Sequence, residues 1–249
     1  DTVRHEMVDF WALVLNPVAV SKFFHSVFSG WMTGSVFTIG VSCWYLLKKR
    51  ETRFALASIR VAAIVGIIGT FAVMLSGDSS GIHVGKYQPM KLAAAEGLED
   101  GGTRAPFSIV PGVEIPGMLS ILATHDINGY VPGINNMLEG YTTPDGIHHI
   151  SAEEEIERGK IALSAFEKYR ALKDSNPTAA AEARKLLDDN VEYFGYGYID
   201  NVEELIPPVT LVYWAFRVMV GFGSFLLILM IVVLWMEWKG KIVNMRWLQ

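Results

Sequence analysis

The side chains that could do redox and proton chemistry in this 249-residue sequence lie in two settings, apolar stretches and one short polar helix. His25 lies inside Phe23–Leu47, 25 apolar residues whose other ionisable groups are Cys43 and Tyr45. Hydrocarbon gives an imidazole no hydrogen-bond partner, so such a group is a functional candidate by default. It is either bonded to a neighbouring helix, wetted at an interface, or a ligand to a metal-bearing cofactor such as haem. The last role needs a second ligand on another helix at similar depth. Met219 can supply it. His25 lies roughly 33 Å of helix rise from the far end of its stretch at Leu47, and Met219 about 26 Å from the far end of its own at Met236. A His/Met pair is a known axial set for electron-transfer haem, and the thioether raises the potential. Methionine in such a stretch is also ordinary packing. Arg217 is the single charge in Val209–Met236. A guanidinium there needs an anion, either haem propionates or an acidic residue elsewhere.

Lys91 and Glu96 stand in Gln88-Pro89-Met90-Lys91-Leu92-Ala93-Ala94-Ala95-Glu96. At i, i+5 they leave a helix roughly 140° apart, so they are not an obvious ion pair. Two such charges are either solvated or line two sides of a small polar ligand. His148-His149 beside Asp145 and Glu153 could imitate a metal site, although adjacent histidines in a polar loop are commonly solvated, and they carry no assignment.

The elements that position these residues follow from length and charge. Phe23–Leu47, Phe54–Ser76 (Arg60 its only charge) and Val209–Met236 are each long enough to cross the roughly 30 Å hydrocarbon core. The expected fold is all-α: an integral membrane bundle of three transmembrane helices with a large extracytoplasmic loop that contains short amphipathic helices. Residues 1–22 form an outer-side lead-in, 23–47 the first span, 48–53 a basic hinge, 54–76 the second span, 77–208 the loop, 209–236 the third span and 237–249 a tail. The loop holds 21 of the 26 acidic residues and 10 of the 21 basic ones, a net −11. The remainder is therefore 11 − 5 = +6. The hinge Lys48-Lys49-Arg50-Glu51-Thr52-Arg53 and the tail, with Lys239, Lys241 and Arg246, are short and basic. They are expected in the cytoplasm, with the acidic loop outside. Trp44, Tyr45, Tyr213, Trp214, Trp235 and Trp238 suit interface belts or simple packing.

Within the loop, Gly77–Gly85 (GDSSGIHVG) predicts a turn-rich entry, and Gln88–Leu98 a short helix. Gly101–Gly146, interrupted by Pro106, Pro111, Pro116, Pro132 and Pro144, predicts loop with short elements. Ser151–Lys173 predicts a helix capped by Ser151 with Glu153, Glu154 and Glu155 in its first turn. A second is expected from Thr178 to about Tyr193.

Composition narrows the classes. The chain is 51% hydrophobic and 19% charged, with a mean hydropathy of +0.30, which marks a membrane protein or a very apolar globule. A net charge of −5 excludes a basic nucleic-acid-binding chain, so no nucleic-acid partner is expected. Cys43 alone excludes an internal disulfide framework and a thiolate zinc cluster. The sequence opens at Asp1 without a secretory signal and enters a span almost at once, so it is expected to be a piece of something longer.

Several separated segments then converge on one family. They are Glu6-Met7-Val8-Asp9-Phe10 with Ala12-Leu13-Val14-Leu15-Asn16-Pro17; Lys22-Phe23-Phe24-His25 with Ser29-Gly30 and Thr33-Gly34; and Gly77-Asp78-Ser79-Ser80-Gly81 leading into Gln88–Glu96. The last are Ala215-Phe216-Arg217-Val218-Met219 and Arg246-Trp247-Leu248. In these the sequence resembles the central part of subunit I of the cytochrome bd-type quinol oxidases of bacterial respiratory chains. The resemblance implies that His25 and Met219 are the axial ligands of the low-spin haem b, that Arg217 supports it, and that Lys91 and Glu96 act on quinol in the quinol-binding loop. It implies electron transfer from membrane quinol toward oxygen-reducing haems, with protons released outside. It also implies subunit II and small accessory subunits as partners, and the bacterial cytoplasmic (inner) membrane as location.

The resemblance also marks a gap. Subunit I ordinarily has about nine spans and three are legible here, so the high-spin haem b and haem d expected in the parent complex have no ligands in this chain. It is expected to be a fragment, a partial chain, or a split subunit completed by the rest of subunit I. Two other readings stay open at this point: another quinol-linked membrane cytochrome, and a non-redox membrane protein with an acidic extracytoplasmic binding or assembly domain.

Overall fold

A computed structural model describes residues 7–245. Glu6 and Arg246-Trp247-Leu248 of the matching segments lie outside the described residues. The chain divides into two compact units, Asp1–His83 with Arg217–Gln249, and Val84–Phe216.

In the first unit, helix α1 (Phe10–Val14) begins where the Asp9 carboxylate accepts from the amides of Trp11 and Ala12. Helix α2 (Pro17–Leu47) starts the same way. Asn16 accepts from Val18 and Ala19, and Pro17, which has no amide to satisfy, takes the first turn. The basic hinge after it is a tight turn in which Lys49 and Glu51 take positive φ (54° and 45°). Helix α3 (Thr52–Tyr87) then runs 36 residues. It continues straight through Gly77–Gly85, where turn chemistry predicts an entry loop, so the boundary expected at Ser76 does not end the helix. Helix α9 (Val209–Trp238) completes this unit with its later part.

The core of this unit is built from α2 (Ile39, Cys43, Leu46), α3 (Ala55, Ile59, Ala62, Ala63), α9 (Met230, Val233) and Ile242. Small residues let the helix backbones approach closely, as in membrane helix pairs. A Cβ added at Gly69 would stand 3.2 Å from the Trp31 Cβ and 3.4 Å from the Phe28 carbonyl oxygen, and one at Gly66 would stand 2.8 Å from the Ser35 Cβ. Arg60, the only charge of its predicted span, is held by Glu237, which lies one residue past the predicted end of the third span. The contact is bidentate, Nε to Oε2 at 2.9 Å and Nη2 to Oε1 at 2.7 Å. The Glu237 side chain is 4% exposed.

Among the described residues two stretches are long and apolar enough to cross a membrane, Thr52–Tyr87 and Val202–Trp238. Helix α2 has the length but not the hydropathy. Its hydroxyls account for this: Ser29, Thr33, Thr38 and Ser42 each donate to the carbonyl four residues back, those of His25, Ser29, Gly34 and Thr38, at 2.7–2.9 Å.

The second unit is helical with small ladders that the all-α expectation omits. Helix α4 (Pro89–Glu96) ends at Gly97, whose φ of 64° supplies the left-handed cap. Three two-stranded antiparallel ladders follow in the proline-rich stretch and just after it: β1 (Gly102–Thr103) with β4 (Tyr130–Val131), β2 (Phe107–Val110) with β3 (Val113–Ile115), and β5 (Tyr141–Thr142) with β6 (His148–His149). Proline spacing punctuates this region without revealing the pairing. Helices α5 (Met118–Thr124) and α6 (Ile134–Glu139) lie between them. Ala105, Leu119, Ala123 and Val131 form its core, flanked by Leu92, Leu98 and Phe107. The buried Ser120 hydroxyl accepts from the Ala105 amide at 2.8 Å and donates to the Gly129 carbonyl at 2.7 Å, so its polar atom is satisfied.

Helix α7 (Ala152–Leu172) starts at Ser151, whose Oγ accepts from the Glu154 amide, with three glutamates in its first turn. Helix α8 (Pro177–Asn190) follows Asn176 and stops short of Tyr193, because the chain tightens into a 3-10 turn over Val191–Tyr198. That turn lies against α7 backbone to backbone: a Cβ at Gly159 would stand 2.6 Å from the Tyr193 carbonyl oxygen.

Candidate functional site

His25 is half-buried on α2, and its imidazole faces α3. Ser76 Oγ is 3.4 Å from Nδ1, and the place a Gly77 Cβ would occupy is 3.3 Å from Cε1. Nε2 is the ring nitrogen not engaged with α3. Met219 lies on α9 in the same unit, 53% exposed. Gly223 follows one turn later on the same face, and a Cβ there would meet nothing within 4 Å. A flat macrocycle needs an imidazole with one nitrogen uncommitted and a thioether with open space beside it, and His25 and Met219 fit on both counts. Among the described residues no group of three or more His, Cys, Asp or Glu is placed to hold a bare ion.

Arg217 is half-buried two residues before Met219. On an ideal helix that is roughly 160° around the axis, so an Arg217 contact with a group held at Met219 has to wrap around α9.

Lys91 and Glu96 share α4 but not a face. Lys91 is exposed, while Glu96 is 5% exposed beside Ala93 and Ala94. A cavity of about 40 Å³ opens next to this helix, with Pro89, Leu92, Ala123 and Tyr130 among its walls. It has room for a few waters and none for a six-membered ring. Neither Lys91 nor Glu96 lines it.

Tyr130, in that cavity wall, stacks on Tyr141 at 5.6 Å between ring centroids, and Tyr141 stacks on His149 at 4.5 Å. Burial pushes both phenols up, and for Tyr141 the neighbouring Tyr130 and Glu155 add to it. Glu155 is raised by its own burial, against a hydrogen bond from Tyr196 that favours the anion. The Tyr196 phenol is pushed up to about 12 by burial and by the Glu155 charge. Sequence reasoning missed this cluster because its members come from five separate elements, β4, β5, β6, α7 and the 3-10 turn. The histidine pair does not form a metal site: His148 Nδ1 lies 3.1 Å from Thr142 Oγ1, and both rings are exposed. Ser76 was also missed, since only the folded helix brings it opposite His25. Tyr213 is packed rather than displayed in a belt, its hydroxyl 2.8 Å from Ser108 Oγ.

The chain is 35% identical over 261 residues to the cytochrome bd-II ubiquinol oxidase subunit 1 of Escherichia coli K12, covering 99% of this chain and 51% of that protein. It is 31% identical over 245 residues to the cytochrome bd ubiquinol oxidase subunit 1 of Bacillus subtilis 168, covering 98% of this chain and 43% of that protein. The chain thus spans about half the length of these curated relatives. A solved structure, the bd oxidase from Geobacillus thermodenitrificans, aligns with a TM-score of 0.47 at 21% identity over 90% of this chain and 60% of that one. The family model described as cytochrome bd terminal oxidase subunit I matches residues 1–249. With a match from one end to the other, this chain belongs to the cytochrome bd terminal oxidase subunit I family.

Proposed function

We propose that this chain forms the quinol-oxidising, low-spin haem b-binding part of a bd-type terminal oxidase, and that its quinol:oxygen oxidoreductase activity belongs to the assembled complex. The observation that carries this reading is the donor pair on two apolar helices of one unit: an imidazole with Nε2 uncommitted on α2, and a half-exposed thioether beside open space on α9. His25 and Met219 are the axial ligands, and Arg217 neutralises propionate charge. When bound, a low-spin haem b takes up electrons one at a time and passes them on.

The protein's own part in quinol oxidation falls to α4. Lys91 holds a quinol oxygen by a charge-assisted hydrogen bond, and Glu96 takes a hydroxyl proton directly or through water. Because the two leave α4 on different sides and the adjacent cavity holds only a few waters, the substrate has to enter from the exposed Lys91 side with some opening of this helix. The three apolar helices span the bacterial inner membrane, α2 included, since its hydroxyls are satisfied within the helix. The loop from residue 77 to 208 is extracytoplasmic, so protons leave on the outer side. The partners are the rest of subunit I, subunit II and small accessory subunits; the high-spin haem b and haem d belong to the completed complex.

The test is the reduced-minus-oxidised spectrum of the complex carrying His25→Ala or Met219→Ala. Loss of the low-spin signal is expected, and an unchanged spectrum refutes the ligand assignment. Glu96→Gln should slow reduction by quinol while an artificial reductant still reduces the haem. Equal loss with both donors removes Glu96 from the proton step.

A further inference from the structure

Ser76 sits where α3 passes the His25 ring, and its hydroxyl makes three contacts. Oγ is 2.8 Å from the Ala72 carbonyl, 3.1 Å from the Val73 carbonyl and 3.4 Å from His25 Nδ1. A serine hydroxyl has one proton and two lone pairs. Both carbonyls are acceptors only, so the proton goes to them and a lone pair faces the ring. Nδ1 must then carry the ring proton and donate it, which leaves the Nε2 lone pair for a metal. Two neighbours hold this arrangement. The Ser21 hydroxyl on α2 donates to the Ser76 carbonyl at 3.3 Å, joining the helices at the same level. Gly77 removes the side chain that would otherwise press on the ring, since a Cβ there would lie 3.3 Å from Cε1 and 3.5 Å from Nδ1.

We propose that Ser76 and Gly77 are positioning residues for the His25 ligand: the Ser76 hydroxyl fixes the imidazole tautomer and Gly77 fixes how closely the ring seats on α3. This rests on the reading of His25 as a haem ligand. An acceptor on the far nitrogen makes a metal-bound imidazole a stronger donor and so favours the ferric state. Removing it raises the midpoint potential. At 3.4 Å the bond is long, so the expected change is about threefold in the ferrous-to-ferric ratio at fixed poise, or ~28 mV at 59 mV per tenfold.

The experiment is a redox titration of the low-spin haem in the membrane-bound complex, with electron paramagnetic resonance of its oxidised state. Ser76→Ala should keep the haem and raise its potential, Ser76→Thr should restore the wild-type value, and Gly77→Ala should shift the g-values by tilting the ring. A Ser76→Ala potential equal to wild type overturns the proposal, as does a Thr variant that shifts as far as Ala. Should Ser76→Ala lose the haem, retention in Ser76→Thr supports the hydroxyl and loss in both overturns it. His25→Ala, run alongside, separates the two layers: a surviving low-spin signal there defeats the ligand assignment, whereas its loss with an unmoved Ser76→Ala potential defeats only the positioning role.

Discussion

Gly159→Ala should loosen the packing of α7 on the 3-10 turn, although alanine is the better helix former. In an open helix the exchange gains about 1 kcal/mol. Here the added methyl meets backbone rather than a movable side chain: the Tyr193 carbonyl oxygen at 2.6 Å and the Tyr196 carbonyl carbon at 2.8 Å, with the Gly197 amide nearer still. Restoring ordinary contact of about 3.4 Å means moving the turn by more than ~0.8 Å, and overpacking of this kind costs typically 1–3 kcal/mol or more where nothing can rotate away. Because the contact is with backbone, the upper part of that range, about 2–3 kcal/mol, applies, and the clash wins by about 1–2 kcal/mol, a factor of roughly 5–30 in the local opening equilibrium. Amide hydrogen exchange of the complex should show α7 and residues 191–198 losing protection by that factor. Gly195→Ala in the same turn, where a Cβ meets nothing within 4 Å, should leave exchange unchanged. Equal or greater protection in Gly159→Ala would show that helix propensity dominates the seam.

Three further outcomes are expected. Ser151→Ala removes the cap that accepts from the Glu154 amide and should cost about 1 kcal/mol, read as faster exchange confined to the first turn of α7. Glu155 has its folded pKa raised, so its neutral form is favoured on folding; that stabilisation is complete below its ordinary carboxylate range and is lost as pH rises through the raised value. Glu155→Gln should flatten the pH dependence of α7 protection across that window and let the Tyr196 phenol, followed by NMR, titrate below about 12. Glu237→Ala should lower the thermal midpoint of the complex by leaving Arg60 without its bidentate partner, while the double variant Arg60→Leu/Glu237→Leu should recover much of the loss. Additive losses would show that the two residues act separately.

The parts of the fold legible from sequence are those where local chemistry and tertiary packing agree. The start of α7 is one: Ser151 and three glutamates are a cap and a dipole-compatible first turn, and nothing in the packing opposes them. The presence of α4 is another, although the expected Gln88–Leu98 overruns its end, which falls at the left-handed Gly97. Gly77–Gly85 is the opposite case. Its glycines and serines favour turns, yet Gly77 lies against the His25 ring and a Cβ at Gly85 would touch Leu92 at 3.3 Å, so the helix persists because close packing selects small residues there. The partner of Arg60 was beyond local reasoning, because Glu237 lies 177 residues away. Among the candidate ligands, His25, Met219 and Arg217 could be singled out as the few polar or soft groups in apolar surroundings. The partners of His25 could not, since hydrophobicity says nothing about which nitrogen of a ring faces a hydroxyl.

The back-bonded hydroxyls of α2 bear on how such a helix is counted. Hydropathy scales charge each serine and threonine for a donor that must find water, but Ser29, Thr33, Thr38 and Ser42 give their protons to carbonyls of their own helix. To a translocon testing the segment against lipid, the helix is greasier once coiled than its letters add up to as a string. Replacing these four with alanine would raise its hydropathy score while removing little polarity that lipid would meet, and it would straighten a helix that such bonds tend to bend.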